Sequence, residues 1–151
     1  MQSPVSRAGL VLAFVIAADQ VSKQLVIGSI SIGAVRKLLP GLELVDTENT
    51  GVAFSVGSGG AAVVLFAVAV AVGAIAVYFF RHRERPLLWL PTGMMLGGAL
   101  GNVVDRLRHG AVIDFIKLPH WPAFNVADAS ITLGVFVLLY VLSRETDPSP
   151  A

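Results

Sequence analysis

Residues 93–128 read GMMLGGALGNVVDRLRHGAVIDFIKLPHWPAFNVAD. Three carboxylates (Asp105, Asp114, Asp128), two side-chain amides (Asn102, Asn125) and Arg106 fall in this one stretch, between strongly apolar segments. Ionisable groups at or near bilayer depth are costly, and where they persist they are usually functional. The stretch therefore marks a polar centre set between membrane-crossing helices.

Outward from it, four segments have roughly the 20 mostly apolar residues that a spanning helix needs: about 8–28, 60–80, 87–107 and 124–143. The whole composition agrees. Of 151 residues, 55% are hydrophobic and 14% charged, with mean hydropathy +0.76, whereas soluble domains carry about a quarter charged residues. The expected fold class is an all-α membrane protein of four transmembrane helices, with residues 1–151 forming one integral-membrane domain. A net charge of +1 leaves no basic face for nucleic acid. The absence of cysteine removes disulfides, thiolate nucleophiles and thiolate metal sites together. The first apolar run holds Asp19 and Lys23 and ends without an A-x-A-like site, so it reads as a retained span, not a cleaved leader.

The connections carry further signals. Asp19 and Lys23, four apart, share a helix face and are expected to pair. Gly93, Gly97 and Gly101 give the third span a face of small residues against which another helix can pack closely. Gly110 offers a helix stop. Asn125 reads as an N-cap with Asp128 three residues on, a capping-box arrangement. AVIDFIKL reads as extended chain. In the long 29–59 connection, LELVD and VAFSV are β-prone and flank a turn at TENTG, and Ile32 to Leu39 suits a surface helix. Arg81, Arg83 and Arg85 in one short loop favour the cytoplasm, which places both termini inside.

Scattered histidines (His82, His109, His120) without an H-E-x-x-H pattern do not make a metal site, and no G-x-S-x-G motif supports a serine nucleophile. A carboxylate pair remains, with Asp114 and Asp128 on the same membrane face. One ionised aspartate can take a proton from water while the other, protonated, polarises a carbonyl. Among apolar neighbours, Asp114 is expected to hold the shared proton more readily. The residues alone leave a hydrolase, a small transporter or proton-coupled channel, and a non-catalytic helical scaffold all open.

Five motifs in order resemble bacterial lipoprotein signal peptidase (signal peptidase II), over nearly the whole chain. They are D-x-x-S-K at Asp19–Lys23, N-T-G-V-A-F-S at Asn49–Ser55, G-N-V-V-D-R at Gly101–Arg106, V-I-D-F at Val112–Phe115 and F-N-V-A-D at Phe124–Asp128. The resemblance implies an aspartic endopeptidase with Asp114 and Asp128 catalytic. Asn49, Gly51, Asn102, Arg106 and Asn125 then serve substrate binding and site architecture, and Asp19, Lys23 and Asp105 give support. It also implies a small extracytoplasmic β-cradle and surface helix in 29–59, and an active site near the outer face of the bacterial cytoplasmic membrane. The implied substrate is a diacylglyceryl-modified prolipoprotein, cut before its lipidated cysteine. The expected partners are that substrate and membrane lipid, the expected state is a monomer, and no cofactor or metal is implied.

Overall fold

Helix α1 (Pro4–Ile27) starts where the Ser3 side chain accepts from the Ser6 N–H, with proline in the first turn. It is the first of four helices; α2 (Gly60–His82), α3 (Trp89–His109) and α4 (Val126–Ser143) follow. The computed structural model describes residues 2–31, 33–50 and 60–144. Among these, three helices are long and apolar enough to cross a membrane: Pro4–Ile27, Ala62–His82 and Val126–Ser143. The expected fourth span, α3, has the length but not the apolarity, because Asp105, Arg106 and Arg108 crowd its end.

Polarity is inverted relative to a soluble bundle. Phe14, Phe66 and Phe136 face outward, while Asp19, Lys23, Asp105 and Asn125 are each at most 1% exposed. Helix α3 is the central element and packs on the other three. Close packing rests on missing side chains. A Cβ on Gly97 would sit 2.8 Å from the Val15 Cβ of α1, and one on Gly98 would sit 2.5 Å from the Ala127 carbonyl oxygen of α4. Gly93 and Gly97 of the expected small-residue face pack on α1, and Gly98, outside that face, gives α3 a second close approach to α4.

A three-stranded antiparallel sheet of order β1-β2-β3 lies where α1 and α3 end and α4 begins. Its strands are β1 (Val35–Leu39), β2 (Leu42–Asn49) and β3 (Val112–Lys117). The β1–β2 turn is Pro40–Gly41, with Gly41 at φ 82°, the positive value that the third residue of a type II turn requires.

Two expectations are corrected here. Residues 35–39 are strand, not surface helix: Val35, Arg36 and Lys37 pair with Val45, Leu44 and Glu43. Eight residues are too few for a helix that holds itself. Nor do Thr47–Asn49 open a turn; they continue β2 beside Asp114, Ile113 and Val112. The VAFSV run lies outside the described residues. AVIDFIKL is extended as expected, and Gly110 caps α3 in the left-handed conformation.

The packing generates a test. Gly98→Ala drives a methyl into backbone, so it should cost about 1–3 kcal/mol, the usual range for overpacking. Gly9→Ala, with nothing within 4 Å, should be neutral or slightly stabilising. Thermal unfolding of both variants in detergent checks this; equal melting temperatures would show that the α3–α4 contact is looser.

Candidate active site

Helix α1 contributes a ladder of polar groups near its end. Asp19 and Lys23 pair as expected, Nζ to Oδ2 at 2.7 Å. Lys23 also reaches Asp105 Oδ2 on α3 at 2.6 Å, which the spacing did not foretell. Its third donor bond goes to Asn102 Oδ1 at 3.1 Å. The excess negative charge of this buried triad is met by other donors. Gln20 Nε2 donates to Asp105 Oδ1 at 2.8 Å, and the Ala127 N–H donates to Asp19 Oδ1 at 2.9 Å. The Ile113 N–H donates to Asp105 Oδ2 at 3.3 Å. Buried charges survive only when paired and hydrogen-bonded in this way.

A lysine can only donate, so the Asn102 oxygen must face Lys23 and its amide nitrogen must point away. That nitrogen donates to Asp128 Oδ1 at 2.7 Å. Asn125 does the reciprocal work at the start of α4. Its Oδ1 accepts from the Asp128 N–H at 2.9 Å, and Asp128 Oδ2 accepts from the Asn125 N–H at 3.3 Å, the expected capping box. Its Nδ2 donates to Asp114 Oδ1 at 2.8 Å, and also to Asn102 Oδ1 and the Ile113 carbonyl. One asparagine thereby holds both Asp114 and Asp128.

Asp114 reaches this point because two strands meet there. Thr47 pairs with Asp114 and Asn49 with Val112, so Asn49 lies diagonally across the same face. Its Nδ2 donates to Asp114 Oδ2 at 3.0 Å. Phe124 and Ile116 exchange backbone hydrogen bonds, which folds the 118–123 loop back and sets Asn125 beside β3.

Burial pushes the Asp114 carboxyl up to about 6. The Asn49 hydrogen bond opposes the shift, the Asp128 charge adds to it, and Asn125 and Lys23 oppose it more weakly. Desolvation wins. Since the folded value exceeds the ordinary 3.8, protonated Asp114 favours the fold; that contribution is complete below the unfolded value and is lost as pH rises through about 6.

Of the residues singled out from sequence, Asp19, Lys23, Asn49, Asn102, Asp105, Asp114, Asn125 and Asp128 form one connected network. Arg106 stands beside it, half-buried, donating to the Asn102 carbonyl at 3.3 Å; Asp105 pairs with Lys23 instead. Gly51 lies outside the described residues. Gln20 is the member that sequence reasoning missed, because its contact with Asp105 spans 85 residues and no local spacing announces it. Among the described residues, no three His, Asp or Glu side chains gather closely enough to hold a metal ion.

Residues 11–144 match the family model for signal peptidase (SPase) II. The lipoprotein signal peptidase of Thermodesulfovibrio yellowstonii is 36% identical over 148 residues, covering 93% of this chain and 97% of that one. That of Azoarcus sp. is 39% identical over 146 residues, covering 91% and 83%. A solved structure described as a bacterial membrane enzyme superposes with a TM-score of 0.84 at 30% identity, covering 94% of this chain and 96% of that one.

The opposing influences on Asp114 can be separated. Asn49→Ala removes a donor to the ionised form and should raise its pKa, whereas Asp128→Asn removes a like charge and should lower it. Carboxyl carbon chemical shifts of the labelled protein read both; the reverse order would mean that other groups govern Asp114.

Proposed function

Because the chain belongs to the signal peptidase II family, we propose that it removes signal peptides from prolipoproteins by aspartic catalysis. Asp114 and Asp128 are the dyad of this reading. The observation that carries it is that Asn125 holds both carboxylates through its own side chain and backbone, with Asp114 pushed up to about 6. Family membership decides between the hydrolase and the ion path that intramembrane carboxylates alone leave open.

The roles follow from the environments. Asp114, buried on β3, carries the proton; Asp128, accepting from Asn102 and from the Asn125 N–H, is the ionised base. Asp128 takes a proton from water as the water oxygen bonds to the scissile carbonyl carbon, and Asp114 gives its proton to the carbonyl oxygen. As the tetrahedral diol collapses, the C–N bond breaks and Asp128 returns its proton to the leaving amine. One hydroxyl of the diol gives its proton back to Asp114. The pair ends as it began, sharing one proton, because like charges in contact resist double ionisation. Asn49 and Asn125 orient Asp114, and Asp19, Lys23 and Asp105 hold the frame. Arg106 spends one donor on a backbone carbonyl and presents the others to substrate oxygens. The substrate is the diacylglyceryl-modified precursor, cut before its lipidated cysteine.

In this reading the chain is one integral-membrane peptidase domain and acts as a monomer. Helix α3 is a fourth span despite its polar end, which the neighbouring helices shield. Both termini and the Arg81–Arg85 loop face the cytoplasm, and the sheet with the dyad lies at the outer face of the cytoplasmic membrane.

Cleavage of a lipidated prolipoprotein peptide in detergent tests the dyad. Asp114→Asn and Asp128→Asn should each fold and lose roughly a hundredfold or more of the rate, the scale of one acid–base contribution. The double variant should be little worse than either, since both act as one unit; chelators should have no effect. Wild-type turnover by folded Asp114→Asn, or loss of turnover on chelation, would overturn the assignment.

Orientation is tested separately, with cysteine at Lys37 or Glu84 and an impermeant thiol reagent on intact cells. Labelling is expected at position 37 only, and the opposite pattern would invert the topology.

A further inference from the structure

Side chains of β2 alternate between two faces. Thr47 and Asn49 share the face of Asp114, while Asp46 and Glu48 turn away into a separate cavity of about 390 Å³. Its apolar lining is Ile27 at the end of α1, Ile30 in the following turn and Ile113 on β3. Its polar lining adds Gln24, Ser31 and His109.

Asp46 is only 5% exposed and lines this cavity, and with no side-chain hydrogen bond or ion pair among the described residues its carboxylate oxygens are left open to the cavity. A carboxylate that opens only into a confined cavity is favourably met there by a cation. A bare metal ion does not suit the site, since no three His, Asp or Glu side chains converge among the described residues. The volume fits a group of many atoms, a single water taking about 30 Å³. Asp46 and Glu48 supply acceptors, and Gln24, Ser31 and His109 supply hydrogen-bond donors. That is the complement of a zwitterion carrying an ammonium and a phosphate.

Location selects the source. The apolar run of α1 ends at Ile27, and Val21 and Leu25 on its outer face are 59% and 65% exposed. A cavity opening just past Ile27 therefore sits at headgroup level. We propose that the cavity behind β2 and β3 binds the headgroup of an ethanolamine-bearing phospholipid, its primary ammonium on Asp46 and Glu48. Ile113 forms part of the wall, while its backbone bonds to Asp105 and Asn125. An occupied cavity thus braces the strand that carries Asp114. The inference rests on α1 as a membrane span, not on the dyad.

Native mass spectrometry of the delipidated full chain provides the test, with phosphatidylethanolamine, phosphatidylcholine and phosphatidylglycerol of matched chains. Phosphatidylethanolamine should bind at least about tenfold tighter than the others, because one lacks N–H donors and the other lacks a cation. Asp46→Asn and Glu48→Gln should each remove that preference and leave the other two lipids unchanged. Glu48 is exposed, so its variant decides the matter even if Asp46→Asn fails to fold. Equal binding of the three lipids, or an unchanged preference in Glu48→Gln, would overturn the site. Tighter Asp46-dependent binding of spermidine or a lysine-rich peptide would overturn the lipid as ligand. No readout involves cleavage, so failure here leaves the peptidase reading standing.

Discussion

The Lys23 ammonium is the interaction on which the polar centre depends. Its bonds run to Asp19, Asp105 and Asn102, one on its own helix and two on α3. Because it can only donate, it fixes which way the Asn102 amide points, and that amide fixes Asp128. The same Asn102 oxygen accepts from Asn125, which in turn holds Asp114. A wholly apolar set at positions 19, 23 and 105 could pack as well or better, as buried ion networks often add little net stability, whereas removing Lys23 alone would strand two buried carboxylates. Such a set could not transmit orientation. The charge is there to set directions.

Such a network requires short distances between helices, and glycine supplies them. With side chains at Gly97 and Gly98, α3 could not lie against both the Leu12 backbone with the Val15 Cβ and the Ala127 carbonyl. Gly101 faces Asp19 itself, where a Cβ would stand 2.9 Å from Oδ2. Apolar packing and polar geometry are therefore one constraint here. The helices must touch for the ammonium to reach, and the lipid-facing phenylalanines keep water from competing for its bonds.

Much of this was legible in the chain. Apolar runs located the helices, the four-residue spacing paired Asp19 with Lys23, and Asn125 with Asp128 announced a capping box that the structure forms. What escaped was long-range. Nothing near Gln20 or Lys23 says that Asp105 will stand beside them, since that contact is made by helix packing. The strand at 35–39 escaped for the same reason: its backbone is satisfied by β2, a partner that local amphipathicity does not reveal. Asn49 and Gly51 within TENTG drew attention as a turn; Asn49 instead continues β2, Gly51 lies outside the described residues, and the signal for the β1–β2 hairpin was Pro40–Gly41. Asp114 and Asp128 could be singled out, but the asparagine that joins them could not be given that role from spacing alone.

The Ala127 N–H bonds to Asp19 across 108 residues of chain. Chains are made from the N-terminus, so this link has an order in time. When α1 enters the bilayer, Asp19 and Lys23 already neutralise each other within one helix. Asp114 emerges next, without Asn125 to position it. Only insertion of α4 delivers Asn125 and Asp128 and closes the link back to the first helix. The polar centre that joins Asp114 to Asp128 is therefore completed only when the last helix is in place, at the final step of the chain's own biogenesis.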